Sequence, residues 1–464
     1  MEGEQLHCNE GKWFVNKIDS ISHQGLQHGA FSQSAHGTYI AIVNSQHGID
    51  VHSYDVEDNE LKLVMTLEGH RDAPTCLSFS HSTEPVLLIS CARDYVIKWN
   101  VTECLINQHN DVSIKGKVVM QTPSAGVTNI CWSVEDDVVA ICTGCDIIIY
   151  DVESYASVHE LRGHTDTVTC AAFCPHYQTT LVSASVDRTF MIWNSSSGEL
   201  LYKSSIISSS PIDQVVMNDF KEEFILAFSD GMIRSYDISA ESTFSQLRSV
   251  DLDKLLNGVG QVSGDSVAVA AAALSLLPLS VSLDLSETAD LLPHDDIHSV
   301  RSVFSSVDLL VILTSSHIVV LNERTEETIA VEKLTDVNIG YISSTSLCVL
   351  PSESDLGLSN TVQCLTSRLF DSKLQLTHVS PLSVYKAKQA TDCALSVISR
   401  MPADPGSPLR SSLVPKQTPK STGKIKSKAK RIDKKGGRVL DQPVVHKTKI
   451  RSSGYATSHS KSYL

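Results

Sequence analysis

The chain has no stretch built to cross a membrane. Its longest apolar run, "VAVAAAALSLLPLSV" at 267–281, is shorter than the ~20 residues a spanning helix needs and is broken by Pro278. No secretory leader is expected either, because the opening "MEGEQLHCNEGKW" is acidic and polar with no apolar core. The 12 cysteines are therefore expected to be reduced thiols in an intracellular protein, cytoplasmic, nuclear or both. Cys131, Cys142 and Cys170 lie in strand-like apolar runs, where a thiol acts as a small hydrophobe.

Signatures of common enzyme classes are equally scarce. There is no glycine loop ending in Lys-Ser/Thr, no metalloprotease His pair and no nucleophile elbow. The Gly-rich "GVGQVSG" at 258–264 lacks the lysine and reads as a loop. "CTGC", Cys142 to Cys145, has metal or redox spacing, but no second pair follows; it reads as strand, turn, strand. The 18 histidines scatter over turns and loop edges. No cofactor and no metal is expected, and no catalytic residue is assigned.

Charge is present but unevenly placed. The whole chain carries −15, while residues 401–464 hold 15 Lys+Arg against Asp404, Asp433 and Asp441, leaving −27 on residues 1–400. An acidic body repels phosphate backbones and anionic membranes, and a basic tail attracts them. The tail has five prolines within 402–419, then "KIKSKAKRIDKKGGR", and no aromatic residue between Met401 and Tyr455. It is expected to be disordered, to lack stacking platforms for single strands, and to serve as import signal, polyanion-binding arm or solvated linker. Ser407 and Thr418 precede prolines there, a pattern open to proline-directed kinases, whose phosphate would weaken the cluster.

A repeat organises the body. "GHRDAPTCLSFSHSTEPVLLISCARDYVIKWN" at 69–100 matches "GHTDTVTCAAFCPHYQTTLVSASVDRTFMIWN" at 163–194. In each copy Trp follows the His by 29 residues, His70 to Trp99 and His164 to Trp193, with Asp94 or Asp187 in the intervening turn. Weaker marks keep an aromatic or apolar residue before Asp or Asn: Tyr54-Asp55, Tyr150-Asp151, Tyr236-Asp237, Leu321-Asn322 and Phe370-Asp371. Successive marks are 45, 51, 43, 43, 85 and 49 residues apart. Each closes a β-branched run preceded by another apolar run, a four-stranded unit with the period of a propeller blade.

The pattern resembles the WD40-repeat family over roughly residues 20–385, with Trp-Asn and Tyr-Asp where the family has Trp-Asp. The resemblance implies an all-β β-propeller, the seven marks favour seven blades, and the composition adds the disordered basic C-terminal tail. It also implies buried hydrogen-bonded chains, one of His70, Ser90, Asp94 and Trp99, the other of His164, Ser183 (or Ser185), Asp187 and Trp193. The second set also contains the ingredients of a Ser-His-Asp hydrolase, which the resemblance turns into a structural knot. Asp94 precedes its Trp by five residues and Asp187 by six, so one set is expected to be strained or incomplete.

Residues 1–19 form an N-terminal segment available as a closing strand, with "KWFVNKI" positioned to pair near "LFDSKLQLTHV". Blades one to five are expected over 20–239, an insertion or an eroded blade over 240–300, the last two blades over 301–385, and the tail over 386–464. The expected function is a non-enzymatic scaffold that mediates protein–protein interactions, favouring partners with basic or extended segments and no membrane. The loops Gly69–Asp72 and Gly163–Asp166 are the expected contact face. The alternative is an adaptor that binds RNA or DNA through the tail. An enzyme with its site in the channel ranks last, since no carboxylate or ligand set recurs from blade to blade.

Overall fold

In a computed structural model of the chain, the described residues are 15–22, 30–34, 37–55, 60–108, 116–121, 125–239, 244–256, 273–284, 304–334, 342–350, 361–368, 373–381 and 383–385. All belong to one unit, Met1–Val397; the second unit, Ile398–Leu464, lies outside them. The expectations for the 386–464 tail therefore fall outside the described residues as well.

The strands, numbered along the chain, begin with β1 (Val15–Ser22). Blade one is β2 (Phe31–Gln33), β3 (Tyr39–Val43), β4 (Ile49–Asp55) and β5 (Glu60–Leu67). Blade two is β6 (Cys76–Phe79), β7 (Leu87–Cys91), β8 (Tyr95–Asn100) and β9 (Lys117–Gln121), with helix α1 (Val101–Gln108) between its last two strands. Blade three is β10 (Asn129–Trp132), β11 (Val138–Thr143), β12 (Asp146–Asp151) and β13 (Ser157–Arg162). Blade four is β14 (Val168–Phe173), β15 (Thr180–Ser185), β16 (Phe190–Asn194) and β17 (Glu199–Lys203). Blade five is β18 (Ile212–Met217), β19 (Glu223–Phe228), β20 (Met232–Asp237) and β21 (Gln246–Asp251). Blade six is β22 (Ala273–Asp284), β23 (Phe304–Thr314), β24 (His317–Asn322) and β25 (Thr328–Lys333). Blade seven is β26 (Ile342–Leu350), β27 (Thr361–Arg368), β28 (Lys373–Val379) and, at its outer edge, β1. The protein is an all-β, seven-bladed propeller.

The first strands of successive blades touch in ring order, and β26 meets β2 to close the circle. Second strands, such as β11 "VVAICT" and β19 "EFILAF", are buried almost throughout because neighbouring blades cover both faces. Outer strands such as β17 are largely exposed. Six of the seven marks end third strands, and their Asp or Asn has a local task. Asp151, Asn194, Asp237 and Asn322 each accept backbone N–H bonds from residues two or three further on, turning the chain toward the outer strand. Asn100 does the same for Glu103 and so caps α1.

Two expectations are corrected. Phe370-Asp371 falls between β27 and β28 and not at the end of a third strand; those two residues lie outside the described ones. Residues 240–300 are neither an insertion between blades nor an eroded blade, because β21 completes blade five and β22 opens blade six. The spacing of 85 arises because residues 257–272 separate β21 from β22 and residues 285–303 separate β22 from β23. Pro278 sits within β22, the edge strand of its sheet, where a proline is tolerated because one side of the strand carries no ladder. At the other end of the ring, β1 pairs antiparallel with β28, Val15 opposite Val379. No helix among the described residues is long and apolar enough to cross a membrane.

Candidate functional site

The two Gly-His repeats each assemble one side-chain chain. In blade four His164 Nδ1 lies 3.1 Å from Asp187 Oδ2, His164 Nε2 lies 2.8 Å from Ser183 Oγ, and the Trp193 indole N–H donates to that same Oγ at 2.9 Å. In blade two the corresponding distances are 3.0 Å from His70 to Asp94, 2.7 Å from His70 to Ser90, and 2.8 Å from Trp99 to Ser90. Proton positions follow from the donor inventory. An indole can only donate, so the serine oxygen accepts from it and passes its own proton to Nε2, leaving Nδ1–H for the carboxylate.

Ser183 and Ser185 were alternatives, and the geometry separates them. Ser183 joins the chain; Ser185 donates to the carbonyls of Asp166 and Thr167 and accepts from the Asp187 amide. Both sets are complete, so of the two expected consequences of their unequal spacing only strain is seen, and it falls on the backbone of blade four. The extra residue in blade four, Arg188, is absorbed at a φ of 67° in the left-handed region, and Thr189 then bonds Asp187 through both its amide and its hydroxyl. In blade two Tyr95 N–H reaches Asp94 directly.

The connectivity from Ser to His to Asp is that of a hydrolase triad, but access differs. Ser90 and Ser183 are 0% exposed, and each hydroxyl oxygen is capped by an indole. A nucleophile needs a substrate carbonyl within reach, and here the space is filled by the protein itself. The glycines before the histidines explain the tight seal, since a Cβ at Gly69 or Gly163 would sit 3.0 Å from the Trp99 or Trp193 ring. Burial pushes the His164 imidazole below its usual value, against the pull of Asp187. Burial also opposes charge on Asp187, yet bonds from Thr189, Thr165 and His164 bring its pKa down to about 2. Blade four therefore holds a neutral imidazole beside a charged carboxylate.

The Cys pair resolves simply. Cys142 is buried in β11, Gly144 and the exposed Cys145 form the hairpin tip, and Thr143 pairs with Asp146. The ten described cysteines are free thiols. No group of three His, Cys, Asp or Glu that could hold a metal occurs among the described residues.

Comparison with known proteins agrees with the geometry. The family profile "WD domain, G-beta repeat" matches residues 61–99 and 155–194. The chain is 33% identical over 102 residues to a WD repeat domain-containing protein 83 homolog of Dictyostelium discoideum, 22% of this chain and 31% of that protein. It is 24% identical over 196 residues to human Gem-associated protein 5, 42% of this chain and 10% of that protein. A mouse NACHT domain- and WD repeat-containing protein 1 is 36% identical over 75 residues, 16% of this chain and 5% of its own length. Two blades of the propeller carry WD40 repeats. The matched stretches span less than a third of any of these three relatives.

Both matched WD40 segments begin on the outer strand of one blade, or just before it, and end with the third strand of the next. Each histidine thus sits on the connection between blades and bonds into the second of them. Sequence reading missed two ties at the opposite end of the ring. Asp136 accepts from the amides of His81 and Ser82 at 3.0 and 2.7 Å, and its Oδ1 lies 3.1 Å from His81 Nδ1, linking blades two and three. Lys221 of blade five reaches Asp308 and Glu323 of blade six, both at 2.9 Å. Arg248 contacts Glu223 and stands 3.8 Å from Glu323. No local signal announces these residues, because their partners come from other repeats.

Proposed function

We propose that the protein is a non-enzymatic WD40 scaffold that holds partner proteins together, choosing those with basic or extended segments, and that it needs no cofactor or metal. WD40 propellers typically serve this purpose. The observation that carries the reading is the sealing of both His–Ser–Asp–Trp chains: the residues that look most reactive stiffen the disc and leave the turns on its two faces to vary. The −27 charge of residues 1–400 favours basic partners through steering and complementarity. Within the family, "LLISCARDYVIKWNVTEC", "EDDVVAICTG", "LVSASVDRTFMIWN" and "SGELLYKSSI" resemble WD repeat-containing protein 27. Residues 401–464 support an intracellular setting, with their basic cluster available as an import signal.

Those 15 Lys+Arg also favour a second reading, an adaptor that binds RNA or DNA through the tail. Affinity purification of the chain with and without residues 401–464, each with and without nuclease, separates the two. The scaffold reading expects the partner set to survive both treatments. Loss of every partner with the tail or with nuclease overturns it in favour of the adaptor, whose binding would fall steeply with salt.

A further inference from the structure

One end of the ring collects the turns that follow the first and third strands of each blade. Between blades three and four these turns enclose a cleft of about 350 Å³. Among its polar lining residues two valines face solvent, Val134 39% and Val158 44% exposed. Its rim carries three carboxylates, Glu135, Asp137 and Asp151. Each is fixed through one oxygen: Glu135 accepts from Gln178 at 3.0 Å, Asp137 from the Ser133 hydroxyl at 2.6 Å, and Asp151 from the amides of Glu153 and Ser154 at 3.1 and 2.6 Å. None of the three forms an ion pair among the described residues. Lys98, whose charge reaches Asp151, has its ammonium on the Val152 carbonyl at 2.8 Å and over the Tyr155 ring.

Oriented carboxylates beside two exposed valines match a ligand with an apolar stem and a cationic head. Lysine and arginine side chains have that build. Arginine fits better, because a planar guanidinium can bond two carboxylates at once in a fixed fork. An anion is repelled by this rim, and a neutral apolar group would bury carboxylate oxygens without a partner. The body's overall charge draws such a segment toward it.

We propose that the cleft between blades three and four seats one arginine side chain from a basic segment of a partner protein. The inference rests on the scaffold reading and names a docking point on the face opposite to that of the Gly-His turns.

The test uses the full chain and three peptide libraries, nine residues long, whose central position is fixed as arginine, lysine or norleucine. The arginine library should be retained at least tenfold better than the norleucine library, with lysine between them. Val158→Arg, on the exposed outer strand β13, puts the protein's own guanidinium in the cleft and should abolish that preference. Glu135→Gln, which alters only one exposed turn, should weaken it severalfold. Leu247→Arg changes the charge equally on the outer strand of blade five and should leave the preference intact. Equal retention of arginine and norleucine libraries overturns the proposal, as does an equal loss in Leu247→Arg, which would mean diffuse attraction. If Val158→Arg keeps both its peptide preference and its purified partners, the cleft falls and the scaffold reading stands. If the full chain retains no partner proteins yet prefers arginine peptides, the scaffold reading fails and the cleft remains.

Discussion

Blades two and four are locked by hydrogen-bonded chains that begin at a neutral imidazole or its counterpart, whereas the joint between blades five and six is locked by charges. The first kind satisfies every donor and acceptor it buries. Trp193, Ser183, His164 and Asp187 each have partners, and the one formal charge is met by five donors. The second kind gathers Lys221 and Arg248 with Glu223, Asp308 and Glu323, and leaves Glu323 Oε1 buried without a partner. Burying ions costs more than burying dipoles, and the return depends on complete pairing. The charged joint is thus the more fragile of the two, and removing one ion should hurt it more than removing one group hurts a chain. Blade seven differs again, because its outer strand comes from the beginning of the chain.

The largest effect is expected from removing residues 1–22. Without β1, the edge of β28 is unpaired and the ring loses its latch, so the shortened chain should unfold less cooperatively and associate through the free edge. Thermal unfolding and size-exclusion chromatography check this; a shortened chain as stable and monodisperse as the parent would show that the latch is dispensable.

Lys221→Met comes next, at about 3 kcal/mol, because it strands Asp308 and Glu323 beside each other. Adding Glu323→Gln should recover part of the loss. Urea denaturation of the single and double variants measures both, and a neutral Lys221→Met would erase the contrast between the joints. Ser183→Ala is expected to cost about 2 kcal/mol, since it leaves the Trp193 N–H and His164 Nε2 unpaired; Ser90→Ala should match it within about 0.5 kcal/mol. Asp187→Ala falls in the range of about 1–3 kcal/mol for the same reason, and an unchanged melting temperature would remove the chain from the stability of blade four.

The smallest effect is pH dependence, which sharpens the comparison by its sign. His164 is held below its ordinary 6.5, so its site favours folding fully above that value and loses stability as pH falls through it. Asp187, lowered from 3.8 to about 2, adds a further loss as pH falls between those values. Glu323 is the reverse: burial raises its carboxyl above 4.5, so its contribution is intact below 4.5 and is lost as pH rises through the shifted value. Amide exchange resolved by segment between pH 4 and 7 should show blade four tightening with pH while the five–six joint loosens, and Glu323→Gln should abolish only the second trend.

Legibility followed the range of the interactions. The tetrads came from the WD40 resemblance, which could be carried over residue by residue because His164, Ser183, Asp187 and Trp193 fall within one 30-residue stretch; the Asx turn that ends a third strand likewise involves neighbours only. Phe370-Asp371 misled because an apolar residue before Asp is not confined to the ends of third strands. Residues 240–300 misled because long connections around β22 hid the inner strand of blade six from a fixed period. Lys221 and Glu323 stand 102 residues apart, and nothing near either predicts the other.

By itself, the sequence determined the blade: a four-stranded unit with its period, its closing Asp or Asn and its apolar second strand. These rest on contacts within about one repeat, where alternation and spacing translate directly into geometry. Only the tertiary structure decided how the blades meet. It placed β1 on β28, set opposite charges at one joint, and at another set carboxylates without ion pairs among the described residues beside exposed valines. Contacts between blades obey no period, since they are fixed by where the closed ring brings distant turns together.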